Sequence, residues 1–192
     1  ADDGGEVEEI TSICQALVVN IGTLNARTVE SMILAGKKAN ALNHPVVLDP
    51  VGAGASALRT DTVHRLLKEV RFSVIRGNMS EMKAVAGSGA ATKGVDADLK
   101  DAVTDENLHE AIRFAKELSR ATQAVIAITG AIDLVADEKK VYLVRNGHPL
   151  MSSLRSLPRR AVRTGSNFVR GWSLAGFLRR RLCSVRSGGI RI

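Results

Sequence analysis

No apolar run in this sequence approaches the roughly 20 residues that a membrane helix needs. At 45% apolar and 24% charged, the composition is that of an ordinary globular protein. The first residues, Ala-Asp-Asp-Gly-Gly-Glu, are acidic and polar, the opposite of a signal peptide. Cysteine occurs only at Cys14 and Cys183, far apart and in no metal or redox spacing. We therefore expect small buried or incidental thiols in a reducing cytosol, not a disulfide. Lysine, aspartate and glutamate are all missing from residues 151 to 192, which hold 10 arginines. Residues 1 to 150 hold the remaining 17 basic side chains against all 20 acidic ones, a net −3. The overall charge of +7 thus belongs to the tail, and it does not make the body a nucleic-acid binder.

Four short, β-branched runs are apolar on both faces: Ala16-Leu-Val-Val-Asn-Ile21, Pro45-Val-Val-Leu-Asp49, Phe72-Ser-Val-Ile-Arg76 and Ala124-Val-Ile-Ala-Ile-Thr129. Such runs predict buried strands of a parallel sheet. Helical stripes alternate with them: Val29, Met32, Ile33, Gly36 and Ala39, then Val63, Leu66, Leu67 and Val70, and later Leu108, Ala111, Ile112, Ala115 and Leu118. Thr104 is the expected N-cap of that last helix, with Asp105 and Glu106 in its first turn. Asn78-Met-Ser-Glu81 carries capping-box chemistry for another helix. Ile132–Ala136 and Val141–Val144 predict antiparallel edge strands, followed by the turn signal Asn146-Gly147. The fold class is α/β, a doubly wound, mainly parallel sheet flanked by helices. Residues 87 to 103 form a long polar loop, a surface excursion or a functional flap.

Ligands of open α/β sheets bind beyond the carboxyl ends of the strands. Those ends read Asn20-Ile-Gly22-Thr23, Asp49-Pro-Val-Gly52-Ala-Gly54, Arg76-Gly77-Asn78 before Glu81, and Thr129-Gly130-Ala131. Arg76 can fork onto phosphate oxygens. The glycines let backbone N–H groups approach an anion. Asp49 and Glu81 could hold Mg²⁺ directly or through water. Taken singly, Asp49-Pro50 is a turn and Glu81 a capping residue; together with Arg76 and Thr129 they make a site. There is no G-x-x-x-x-G-K-[ST] loop. Gly52-Ala-Gly54-Ala-Ser-Ala57 matches the relaxed dinucleotide pattern, but Asp49 just before it would repel a pyrophosphate. His44, His64, His109 and His148 are scattered and are expected at the surface.

At these residues the sequence resembles hydroxyethylthiazole kinase of thiamine salvage, a ribokinase-like enzyme. The likeness runs from about Glu6 to Ser152 through residues 16–25, 45–54, 74–78 with Ser80-Glu81, Lys93-Gly-Val-Asp96, 127–131 and Arg145-Asn-Gly-His-Pro149. It implies a ribokinase-like domain over residues 1–152 that uses ATP and Mg²⁺ to phosphorylate the alcohol of 4-methyl-5-(2-hydroxyethyl)thiazole. By the family pattern Arg76, Thr129, Gly130 and Asn78 bind the nucleotide, and Asp49 and Glu81 serve the metal and phosphates. Asn20, Gly22 and Thr23 fall on the thiazole side. A cytoplasmic homotrimer, with no membrane or nucleic-acid partner, is also implied.

Relative to that pattern the chain starts after the opening strand–helix segment and departs after about residue 152. The family continues into a Thr-Gly-x-Gly-Cys loop that cradles the transferred phosphoryl group and activates the alcohol. Here Ser153-Leu-Arg-Ser-Leu-Pro-Arg-Arg-Ala-Val stands instead, and Arg163-Thr-Gly-Ser166 lacks the second glycine and the cysteine. No catalytic residue can be assigned, and weak or no turnover is expected. The composition of residues 153–192 is what reading a GC-rich gene out of frame gives. Its alternative is a genuine basic tail, with Phe168, Trp172 and Phe177 able to stack on nucleic acid or dip into a membrane surface. An NAD(P)-dependent enzyme or another ribokinase-like kinase is the remaining rival.

Overall fold

Each β-branched run becomes a four-residue strand, and the strands pair in the order in which the chain makes them. The structure, a computed structural model, describes residues 3–87 and 102–145. Strands β1 (Leu17–Asn20), β2 (Val46–Asp49), β3 (Val74–Gly77) and β4 (Val125–Ile128) are parallel neighbours. Strands β5 (Asp133–Ala136) and β6 (Val141–Val144) follow antiparallel, as their alternation predicts. Asp137 closes the turn between them, its carboxylate accepting from the N–H groups of Lys139 and Lys140. The result is a mixed, six-stranded α/β sheet with order β1-β2-β3-β4-β5-β6.

Helices α1 (Val7–Ile13), α2 (Ala26–Ala41), α3 (Ala57–Glu69), α4 (Met79–Ala86) and α5 (Leu108–Thr122) flank the sheet. The strand order never reverses among the described residues, so right-handed crossovers carry the linking helices to one face. Their apolar stripes meet Val19, Leu48, Ile75 and Ile126 in one core with Val29, Ile33, Val63, Leu66, Phe114 and Leu118. Because side chains alternate along a strand, Val47, Val74 and Val125 point from the opposite face. They are buried too, outside that core cluster.

Three of the five described helices open on a side-chain cap; α1 and α5 do not. Asn25, Ser56 and Asn78 cap α2, α3 and α4 through their side chains. The predicted cap Thr104 does not open α5, which begins after Asn107. Asn107 takes over the preceding backbone instead, its Oδ1 accepting from Thr104 N at 2.8 Å and its Nδ2 donating to Ala102 O at 2.9 Å. The segment before α5 thus becomes an Asn-centred turn, and the Thr104 hydroxyl is left buried without a hydrogen-bond partner. Cys14 is exposed, an incidental thiol rather than a buried one. One further expectation changes: of the histidines described only His109 is fully at the surface, His44 and His64 being half-buried. Most of the 87–103 loop, Asn146-Gly147, His148, Cys183, the Lys93–Asp96 stretch and the whole arginine-rich segment lie outside the described residues.

Candidate active site

Register alone assembles the polar ends. Asn20 pairs with Asp49 across β1 and β2, Arg76 with Ala127 and Gly77 with Ile128 across β3 and β4. By alternation Asn20, Asp49 and Arg76 emerge on the sheet face opposite the helical core. The Asn20 amide donates to Asp49 Oδ2 at 2.8 Å, and its carbonyl oxygen accepts from Gly22 N at 2.8 Å. Arg76 Nη1 lies 3.7 Å from the same Asp49 oxygen, an ion pair too long to be a hydrogen bond. The guanidinium is half-exposed, so it is held near Asp49 without being saturated by it.

Burial pushes the Asp49 carboxyl above its usual range. Arg76 and then the Asn20 amide pull it back, and Glu81 pushes it further up. Asp49 is thus a carboxylate whose desolvation is incompletely compensated by the protein. Glu81 is in a different state. Its Oε1 accepts from Gly52 N at 3.0 Å and its Oε2 from Asn78 N at 2.8 Å, while Asn78 Oδ1 accepts from Glu81 N at 2.9 Å. The capping box and the site carboxylate are one and the same group.

Gly77 makes room for this arrangement. A Cβ there would fall 2.7 Å from Glu81 Oε2 and 2.8 Å from Met82 Cε. The next loop joins through Thr129, whose N–H and hydroxyl both donate to Gly77 O, at 2.9 and 3.3 Å. Gly130 is exposed, its N–H donating to Asp133 Oδ1 at 3.0 Å, and Thr23 is exposed beyond β1.

The dinucleotide reading of the Gly52–Ala57 turn fails on hydrogen bonds. Gly52 and Gly54 both have positive φ, +72° and +88°, and so make a tight turn that only glycine adopts freely. Their N–H groups are already engaged, Gly52 by Glu81 and Gly54 by Thr60 Oγ1 at 3.1 Å. They cannot also cradle a pyrophosphate.

One residue at this end escaped the sequence reading. Arg59, in the first turn of α3, sends Nη1 to Ile21 O at 2.6 Å and Val51 O at 2.8 Å, and Nη2 to Gly22 O at 3.0 Å. A signal existed. A cation in a helix's first turn opposes the macrodipole, and α3 has no acidic residue there to balance it.

Among the described residues no cluster of three or more His, Cys, Asp or Glu could cage a metal. No described helix is long and apolar enough to cross a membrane.

Comparison with known proteins gives the family. The model of the hydroxyethylthiazole kinase family matches residues 1–156. Hydroxyethylthiazole kinase of Clostridium acetobutylicum is 62% identical over 154 residues, covering 80% of this chain and 56% of the relative. That of Desulfovibrio desulfuricans is 56% identical over 154 residues, 80% of this chain and 54% of the relative. A solved structure of a hydroxyethylthiazole kinase protein from Pyrococcus horikoshii OT3 is 33% identical, with a TM-score of 0.67 over 80% of this chain and 54% of that one. The chain spans about half the length of the curated relatives it matches.

Proposed function

The chain belongs to the hydroxyethylthiazole kinase family, and from that premise we propose that its strand ends bind Mg-ATP and a thiazole alcohol for phosphoryl transfer. The substrate is 4-methyl-5-(2-hydroxyethyl)thiazole, phosphorylated on its primary hydroxyl. One observation carries the reading beyond membership. Arg76 sits at the mouth of the sheet beside Asp49, half-exposed and only loosely paired at 3.7 Å. A guanidinium in that state can turn onto phosphate oxygens without leaving a tightly bound partner unpaired.

The roles follow from what each group already does. Arg76 takes the phosphates, with Thr129, Gly130 and Asn78 beside it on the nucleotide side. The Thr129 hydroxyl donates to Gly77 O and keeps its lone pairs for an incoming donor. Asn20, Gly22 and Thr23 line the alcohol side. Asp49, buried enough that ionisation is costly, suits direct ligation of Mg²⁺. Glu81, with an N–H on each oxygen, suits contact through water. When bound, the ion would neutralise charge on the phosphates.

This chain carries no Thr-Gly-x-Gly-Cys sequence. The loss of one donor aimed at the developing charge costs about 3–4 kcal/mol in the transition state. We therefore read the chain as a binder of both substrates with weak or no turnover. A cytoplasmic homotrimer is the assembly expected of a member of this family. Calorimetric titration with Mg-ATP tests the reading: saturable binding supports it, and a folded chain without binding refutes it.

A further inference from the structure

Three backbone carbonyls of two different loops converge on one side chain. Ile21 O and Gly22 O belong to the loop after β1, Val51 O to the loop after β2, and Arg59 reaches all three at 2.6, 3.0 and 2.8 Å. Gly52 packs against the same side chain, where a Cβ would lie 3.2 Å from Arg59 Cδ. Meanwhile Glu81 ties Gly52 to Asn78 of the loop after β3, and Thr129 ties the loop after β4 to Gly77. The four loops are therefore joined in series, and Arg59 supplies the join between the first two.

The series is not evenly held. The loop after β2 has three side-chain anchors, Arg59 on Val51, Glu81 on Gly52 and Thr60 on Gly54. The loop after β1 depends on Arg59 for the carbonyls of both Ile21 and Gly22; its other ties are the Ile21 N–H on Asp49 O at 3.2 Å and the Asn20 side chain, which joins Asp49 and Gly22. Removing Arg59 takes both carbonyl ties from the alcohol side and leaves it the Asp49 and Asn20 bonds alone, while the nucleotide side, around Arg76 and Thr129, keeps all its contacts. The guanidinium spreads its donors over a rigid planar fork that spans the two loops, Nη1 on Ile21 and Val51 and Nη2 on Gly22; a lysine ammonium has its three donors on one nitrogen at the end of a flexible stem.

We propose that Arg59 is a positioning residue that sets the alcohol-binding loop, and hence affinity for the thiazole alcohol, without contacting the nucleotide. The inference rests on the function proposed above. It also explains why a cation is tolerated in the first turn of α3, where three carbonyl dipoles offset its repulsion by the positive end of the helix.

The test uses the full chain as wild type, Arg59→Met and Arg59→Lys, with amide hydrogen exchange and calorimetric titration on each. Exchange should accelerate in peptides covering residues 21–24 and 51–55 and stay unchanged over 76–82. Affinity for 4-methyl-5-(2-hydroxyethyl)thiazole should fall by about tenfold or more, since hydrogen bonds to a charged group contribute on the order of one to two powers of ten. Mg-ATP affinity should be retained, and guanidinium ion at low millimolar concentration should restore alcohol binding to Arg59→Met. Should Arg59→Met fail to fold, Arg59→Lys carries the same comparison. Alcohol binding that is equal in wild type and variants overturns this inference and leaves the functional reading standing. Wild type that binds neither ligand overturns both.

Discussion

The N–H of Gly52 donates to Glu81 Oε1 at 3.0 Å, tying the turn after β2 to the first turn of α4 across 29 residues of sequence. That bond makes a helix-capping carboxylate part of the site. Glu81→Gln keeps one acceptor but turns an amide N–H toward a backbone N–H. It should lower stability by about 1–3 kcal/mol, the cost of a partly buried donor left unpaired. Denaturant unfolding monitored by circular dichroism measures it, and a midpoint equal to wild type would show that the bond contributes nothing.

Asp49 should behave in the opposite sense. A carboxyl raised by burial holds its proton more tightly in the folded chain than in the unfolded one. Stability contributed by the protonated form is therefore lost as pH rises through a window that begins at the unfolded value of 3.8. At neutral pH the ionised Asp49 is a standing cost, and Asp49→Asn should melt higher than wild type. The gain should shrink as pH falls toward that window. The same variant should lose the thermal stabilisation that Mg-ATP gives wild type. A variant that melts lower at pH 7 would contradict this picture of the site.

Gly77→Ala probes the close packing beneath the strand ends. The new methyl would sit 2.7 Å from Glu81 Oε2 and 2.8 Å from Met82 Cε, and Met82 is fully buried. Overpacking of this kind costs about 1–3 kcal/mol. Because the clash pushes on Glu81, Mg-ATP affinity should fall along with the melting temperature, and unchanged affinity would separate the two.

The legibility of this fold in its sequence was uneven, for physical reasons. Strands announced themselves because β-branched runs buried on both faces have few other uses, and Asn78-x-x-Glu81 because a capping box is local. The carboxyl-end residues were visible because polar groups after apolar strands are conspicuous. Arg59 left only the mark of an unbalanced first-turn cation, because its partners lie 8, 37 and 38 residues away and only the assembled loops bring their carbonyls together. The later start of α5 was not visible, because the Asn107 side chain turns back onto Thr104 N and Ala102 O and makes a turn of the segment where Thr104 is the expected cap. The strand order of the described sheet, set by pairing, carries no local mark at all.

The exposed network on α2 and α3 offers a contrast with the site. Arg65 bridges Glu30 and Glu69, and Lys37 joins Glu69 at 2.6 Å. The Arg65 hydrogen bond holds Glu30 below its ordinary carboxylate range, and the Lys37 bond, then that of Arg65, does the same for Glu69. Their contribution is present above the unfolded value of 4.5 and is lost as pH falls through the lowered folded values. Arg65→Met should therefore lower the melting temperature slightly at pH 7 and low salt, and the difference should vanish in about 1 M salt, where the Debye length is about 3 Å. Ligand binding should not change. A large, salt-independent loss would mean the arginine stem packs more than its charge pairs.

Calorimetric titration of the full chain with Mg-ATP, run beside Arg76→Ala, tests the central claim most directly. Saturable binding by wild type, lost in Arg76→Ala while its melting temperature stays close to wild type, is the expected result. Absence of binding by the folded wild-type chain, or equal binding by Arg76→Ala, would contradict the placement of the nucleotide at these strand ends.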